Sequence, residues 1–468
     1  MNNEKQLSDL DKFFKAKSVA VIGASATPGK IGYEVLRNLA CFEYKGKIFP
    51  VNPRRSEILG LKCYPSVLNI PENIDLAVLV VSAELTPKTI EECGKKGIRN
   101  VVIISGGFKE LGEQGKELEE RTAKIAKKYG IRIIGPNCIG VFDSKTRLDT
   151  FFQSRERMVR PPPGPIAFLT QSGTYGCAFL EWAAEEGIGI SKFVSYGNRI
   201  DVDEADLLQY LAMDKDTKVV AIYLEGLGDG RKFIEAAKYV AKKKPVIVLK
   251  GGRTKEGAKA AQSHTGWLGG EDRVYRGAFK QAGIIWADTF EELFDMAKAL
   301  AMQPPAQGPN VAMVSNGAGP MVQAVDACIE KNLKIAELTE KTINILKEEL
   351  PPYYIVSNPV DVTGSANSED YKIVLEALLE DPNVHILMPF FVFQDTPLDE
   401  GILDVMKEIN EKSNKPIVAG AAGGPYTKKM KKELEKIGVP VYPIPERTVA
   451  AAYALHIYGN IKRRSTSK

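Results

Sequence analysis

The stretch SVAVIGASATPGKIG, residues 18–32, decides the fold. A continuous Val/Ile run leads into a glycine-rich turn and then into a helical pattern. A run that does not alternate is what a parallel strand buried on both faces requires. The same unit returns in KIFPVN (47–52), LAVLVVS (76–82), NVVIISG (100–106) and IRIIGPN (131–137), with helical stretches such as YEVLRNLACF and TPKTIEECGKKG between them. This rhythm predicts a doubly wound α/β domain over residues 1–154.

RERMVRPPPGP (155–165) interrupts it, because its prolines exclude helix. The rhythm restarts with IAFLTQSG (166–173), SKFVSYG (191–197), KVVAIYLEG (218–226) and KPVIVLKGG (244–252), giving a second α/β domain over 165–302. After MQPPAQGPN (302–310) a third begins with VAMVSNGAGP (311–320). It continues through VHILMPFFVF (384–393) and KPIVAGAAGG (415–424), and ends in a helix near 446–461, so it spans 310–461. The second and third domains both open with strand, glycine-rich turn and helix.

A chain of 468 residues needs more than one core. With 63 Lys and Arg against 59 Asp and Glu, the net charge of +4 is too small for a nucleic-acid surface but suits small anionic ligands. No apolar run reaches a membrane span, and the polar start MNNEKQLSDLDKFFKAKS lacks the apolar segment of a signal peptide, so a cytoplasmic location is expected. The six cysteines include no CxxC pair and read as buried free thiols.

The first turn places Gly23, Gly29 and Gly32 after a strand, with Ser25 where the dinucleotide fingerprint wants glycine. Lys30 lies inside the turn, and VNPRR puts Asn52, Arg54 and Arg55 at the next strand end, where an NAD site would want an acid. Basic residues there suit a ribose carrying extra phosphate, as in coenzyme A or NADP. LTQSGTYG places Ser172, Gly173 and Thr174 at a helix start, and VSNGAGPMV does the same with Asn316, Gly317, Ala318 and Gly319. Helix N-termini of this kind bind anions. Two in consecutive domains are placed to serve a single phosphate.

His264, in GGRTKEGAKAAQSHTGWLGG (251–270), is one of three histidines. His385 and His456 sit in apolar runs and read as structural. No metal-ligand spacing surrounds His264, so no metal site is expected. Its loop is polar and open, which fits an imidazole that attacks phosphorus, with a carboxylate on the other ring nitrogen. Glu225, closing YLEG at a strand end, is the candidate carboxylate.

Together IGASATPGKIG, VNPRR, SGGFKE, IGPNCIGV, LTQSGT, the YLEG glutamate, SHTGWLGG and SNGAGP with NPVDVTG resemble the α subunits of the NDP-forming acyl-CoA synthetases, relatives of succinyl-CoA synthetase, over about residues 10–460. The resemblance implies a CoA-binding Rossmann domain followed by two flavodoxin-like domains. It implies transient phosphorylation of His264, steadied by Glu225, with phosphate held at Ser172–Thr174 and Asn316–Gly319. CoA contacts would fall on Gly23, Ser25, Lys30, Asn52, Arg54, Ser82, Ser105, Gly106, Gly107 and Phe108, and the acyl phosphate near Asn137. By the same resemblance, ADP/ATP and Mg²⁺ would belong to a separate ATP-grasp β subunit, in an α2β2 assembly. Acetyl, branched-chain and aryl acids all fit these motifs. A non-catalytic acyl-CoA sensor and an NADP-dependent oxidoreductase are the competing readings.

Overall fold

The computed structural model describes residues 9–259 and 271–466. The chain divides into two compact units, Met1–Trp286 and Ala287–Lys468.

The first unit carries two sheets. Strands β1 (Ser18–Ile22), β2 (Lys47–Val51), β5 (Leu76–Leu79), β6 (Asn100–Ile103) and β7 (Arg132–Ile134) form a parallel sheet in the order β2-β1-β5-β6-β7, with a small antiparallel pair β3 (Glu57–Ile58) and β4 (Leu61–Lys62) beside it. β1 and the two strands at the centre of this sheet are buried at every position, as their unbroken apolar runs require. Helices Thr86–Lys96 and Glu113–Tyr129 each stop at a glycine in the left-handed region, Gly97 and Gly130.

The second sheet contains β8 (Gly140–Asp143), β9 (Pro163–Thr170), β10 (Ile190–Ser195), β11 (Val219–Leu224), β12 (Val246–Lys250) and β13 (Ile285–Ala287), in the order β13-β12-β11-β9-β10-β8. β8 pairs antiparallel with β10, so the segment just after GPNC joins the second sheet although it precedes the proline-rich break. One apolar cluster runs through both sheets, containing Val21 and Val78 of the first and Leu169 and Ile222 of the second.

The second unit has its own core and a parallel sheet. Its strands are β14 (Asn310–Ser315), β15 (Lys334–Ile335), β16 (Val360–Asp361), β17 (Ile386–Phe390), β18 (Ala419–Gly420) and β19 (Val441–Tyr442), in the order β15-β14-β17-β18-β19 with β16 also on β14. Helix Phe290–Met302 packs along the terminal helix Pro445–Thr466 in this unit. Buried Lys298 of helix Phe290–Met302 bridges to Glu435 of helix Pro425–Lys436 at 2.7 Å and donates to the Val441 carbonyl of β19, tying its helix to both.

Taking the main parallel strands in chain order, each of the three sheets is wound 2-1-3-4-5. The strand order reverses between the first and third strands of each sheet, and ligands of such sheets collect at the carboxyl ends there. In the second sheet these strands are β9 and β11; in the third they are β14 and β17.

Candidate functional site

The first turn is a close fit of backbone on backbone. A Cβ at Gly32 would lie 2.2 Å from the Gly23 carbonyl oxygen, so only glycine lets this helix start against β1. Lys30, Arg54 and Arg55 are exposed beside the turn, and Asn52 braces it by donating to the Ala24 carbonyl at 2.8 Å. Ser25 accepts from the Thr27 N–H, and Ser82 is exposed at the end of the neighbouring strand. These groups form an open basic rim at the β1/β5 crossover.

A cavity of about 400 Å³ lies deeper in the same unit. Ile31 stands at it from the first turn. Ser105 and Gly106, Asn137, and Gln171 through Thr174 line it, together with Asn198. Three of the turns singled out in the sequence therefore meet at one site. Its apolar side is Ile104, Ile139, Phe152 and Cys177. Cys138 also borders it, its thiol pushed up to about 12 by burial.

The Ser105–Phe108 turn is held from within. The Glu110 carboxylate accepts from the Gly107 N–H at 2.6 Å and the Phe108 N–H at 3.1 Å, and also takes the Asn198 amide at 2.6 Å. Burial opposes ionisation of Glu110, but these donors hold it below the usual carboxylate range. Phe108 is fully buried, with its N–H taken by Glu110, and it supports the turn from the core. The Gly107 N–H is likewise committed, which leaves Ser105 and Gly106 facing the cavity.

Asn137 is exposed, in the left-handed region at φ +56°, and its N–H donates to the Ser105 carbonyl at 2.9 Å. At the second sheet, Ser172 caps helix Gly173–Glu185, and the first-turn N–H groups of Gly173 and Thr174 lie at the cavity. Thr170 and Tyr223 are in register on β9 and β11, so Gln171 emerges beside the end of β11. Its Oε1 accepts from the N–H groups of Glu225 and Gly226, the latter at 3.0 Å.

Glu225 is 7% exposed. Burial and then the Glu225 charge push the Tyr223 phenol up. Lys250, on β12 opposite Leu224, is buried; burial lowers its ammonium, and Glu225 opposes that shift. Arg199, at φ +50°, donates to the Gly226 carbonyl at 2.6 Å and pairs with Glu204 at 2.8 Å. Gln171, Asn198, Arg199, Tyr223 and Lys250 were not singled out from the sequence. The offset of Gln171 from Ser172 and of Lys250 from the glycine pair were the available signals.

His264 lies outside the described residues. His385 accepts the Asn310 N–H at its Nδ1, 3.2 Å away, and the Nε2 of His456 lies 2.9 Å from the Asn460 amide. Among the cysteines, Cys41 is exposed rather than buried, because it follows the last turn of its helix.

In the second unit, Asn316–Gly319 again begins a helix, Ala318–Glu330. Asn316 is fully engaged inside the unit. Its Nδ2 donates to the Val392 carbonyl and to Asp395, both at 3.0 Å, and its Oδ1 accepts from the Val392 N–H and the Tyr371 hydroxyl. The Asn316 side chain therefore holds the turn together. Gly317, Ala318 and Gly319 keep only their backbone for an anion.

Three families match along the chain: a CoA binding domain over residues 17–143, a succinyl-CoA ligase like flavodoxin domain over 163–300 and a ligase-CoA domain over 311–460. The chain is 46% identical to the ADP-forming acetate–CoA ligase II subunit alpha of Pyrococcus furiosus, over 95% of its own length and 97% of that protein's. It is 43% identical to ADP-forming acetate–CoA ligase I of Archaeoglobus fulgidus, over 98% of its own length and 65% of that one's. It is similar in structure to dinucleotide forming acetyl-coenzyme A synthetase 1 of Ca. Korarchaeum cryptofilum in complex with phosphate and ADP, with TM-score 0.90, 38% identity and 98% of each chain covered. Among the described residues, no helix is long and apolar enough to cross a membrane.

Proposed function

The chain belongs to the family of ADP-forming acetate–CoA ligase α subunits, and on that premise we propose that it converts acyl-CoA, ADP and phosphate reversibly to carboxylic acid, ATP and CoA. The observation that carries this reading is the convergence of Ser105–Gly106, Asn137 and Ser172–Thr174 on one cavity, tied to Glu225 through Gln171. That arrangement suits an anion beside an acyl group.

CoA lies along the basic rim, with Lys30 and Arg54 meeting its phosphates and its thiol end reaching the cavity past Ile31. A phosphate oxygen attacks the thioester carbonyl carbon; the C–S bond breaks, and CoA leaves as a thiolate that takes up a proton. Asn137 holds the resulting acyl phosphate. The first-turn N–H groups at Gly173 and Thr174 meet the developing charge, which is what phosphoryl transfer mainly needs. An imidazole nitrogen of His264 then attacks phosphorus, the P–O bond to the acyl group breaks, and the carboxylate departs. Glu225 orients and steadies the phosphohistidine. Gly317–Gly319 offers a further helix N-terminus for phosphate. The phosphoryl group finally passes to ADP.

The subunit names of the relatives support a partner chain, for which we propose an ATP-grasp β subunit that holds ADP with Mg²⁺ in an α2β2 assembly. The test is to incubate the complex with radiolabelled ATP and Mg²⁺ and look for an acid-labile, base-stable label. His264→Ala abolishes both the label and ATP formation while CoA binding persists. A label that survives this substitution overturns the nucleophile assignment, and CoA binding without ATP formation by the native complex indicates a non-catalytic sensor.

A further inference from the structure

Gln171 is 4% exposed and lines the cavity. Its two amide ends are in opposite situations. The oxygen accepts from two backbone N–H groups, those of Glu225 and Gly226. Nitrogen in that place would set donors against donors, so the two N–H groups fix which end of the amide is oxygen. The Nε2 end is buried and has no hydrogen-bond partner among the described residues. Leaving a buried donor unpaired is unfavourable, so such groups call for an explanation.

The second unit supplies an internal control. Asn316 follows β14 as Gln171 follows β9, and the register places each beside the end of the third strand. Asn316 spends both amide ends on protein groups. Gln171 spends one. The unspent end is buried within a residue that lines the cavity, next to a helix start at Gly173 and Thr174. An acceptor belongs there, and an anionic one is favoured by the helix N-terminus.

We propose that Gln171 is a substrate-binding residue: its Nε2 donates to an oxygen of the acyl phosphate, while its Oε1 fixes the backbone of the Glu225 loop. One side chain then links occupancy of the cavity to the position of the carboxylate that serves His264. This rests on the proposed reaction, but the donor itself can be tested separately.

The discriminating variant is Gln171→Glu, studied in the full chain with its partner subunit. It keeps an oxygen for the Glu225 and Gly226 N–H groups, removes the donor and adds a negative charge. The expected result is a KM for inorganic phosphate raised roughly 10- to 100-fold, the range for losing a hydrogen bond to a charged group, with CoA affinity unchanged. Gln171→Met, which removes both amide functions, raises the phosphate KM similarly and also lowers kcat because the Glu225 loop is released. Wild-type phosphate KM in Gln171→Glu, alongside a damaged Gln171→Met, shows a purely structural role and overturns the proposal. Titration of the chain with acetyl phosphate provides the separate arm. Tighter binding by wild type than by Gln171→Glu supports the donor even if the native complex makes no ATP, and equal binding overturns it.

Discussion

The second and third sheets build the same turn and finish it differently. In both, a hydroxyl at the end of the first strand captures the N–H two residues on. Thr170 takes that of Ser172 at 3.0 Å, and Ser315 takes that of Gly317 at 3.1 Å. In both, an amide side chain follows and reaches across to the third strand's exit. The first unit then presents buried Glu225 and an amide nitrogen without a partner among the described residues. The second presents Val392 at the matching register, and an Asn316 whose amide is fully used. Identical scaffolding thus yields a turn with side-chain chemistry to spare and a turn closed on itself. A glycine-rich helix start marks a place where a site can be built; the amide and carboxylate around it decide whether one is.

The largest effect should come from removing the charge that distinguishes the first turn. Glu225→Gln keeps the size and shape of the side chain, so the fold survives. ATP formation by the complex falls roughly 10²- to 10³-fold, the scale for losing one preorganised electrostatic contact. CoA affinity does not change. The matching substitution in the second unit, Val392→Thr, leaves the rate within about twofold, in line with a position where most surface-facing changes are small. Steady-state assays of both variants check this, and comparable rate losses in the two would erase the proposed asymmetry.

Next in size is a loss of stability in place of activity. Asn316→Ala strips partners from the Val392 N–H and carbonyl and from Asp395, and leaves the Tyr371 hydroxyl with the Phe390 carbonyl and the backbone N–H at position 316. Orphaned buried groups of this kind cost about 2–3 kcal/mol. Calorimetry should show a lower transition for the C-terminal unit. Acyl-CoA cleavage per folded molecule should fall far less than in Glu225→Gln.

Much of this contrast was within reach of the sequence. The unbroken runs SVAVIG, LAVLVVS and IAFLTQSG announce central parallel strands because strands buried on both faces need no alternation. The turns were legible because glycine next to such a run has few other uses. What stayed hidden depended on neighbours distant in sequence. The four residues of β8 carry no signal that they pair with β10 in the second sheet. β18 and β19 are two residues each, too short for periodicity. Phe108 read as part of an open turn because nothing local shows that Glu110 folds back onto its N–H. Gln171 and Asn316 look alike in sequence as polar residues ahead of a helix start. Only the strand order, which sets each beside a different exit loop, separates a partner of Glu225 from a partner of Val392.

The smallest expected effect tests the shared scaffold itself. Thr170 and Ser315 are both fully buried, and each satisfies an N–H at a helix entry that the helix cannot satisfy. Thr170→Val and Ser315→Ala each leave one such donor unpaired without opening a large cavity. Each should therefore cost about 1–2 kcal/mol, the range for one buried unsatisfied group. The two losses should be similar if the turns are equivalent before their side-chain chemistry diverges. Activity should separate them. Ser172 and the following N–H groups border the cavity, so Thr170→Val also raises the phosphate KM, by a few-fold rather than the larger factor expected from Gln171→Glu. Ser315→Ala should leave that KM closer to wild type, because the turn it supports has no side-chain donor left to misplace. Paired denaturation and phosphate-saturation curves check this. A reversed order of KM effects would mean that the closed turn, not the open one, governs phosphate.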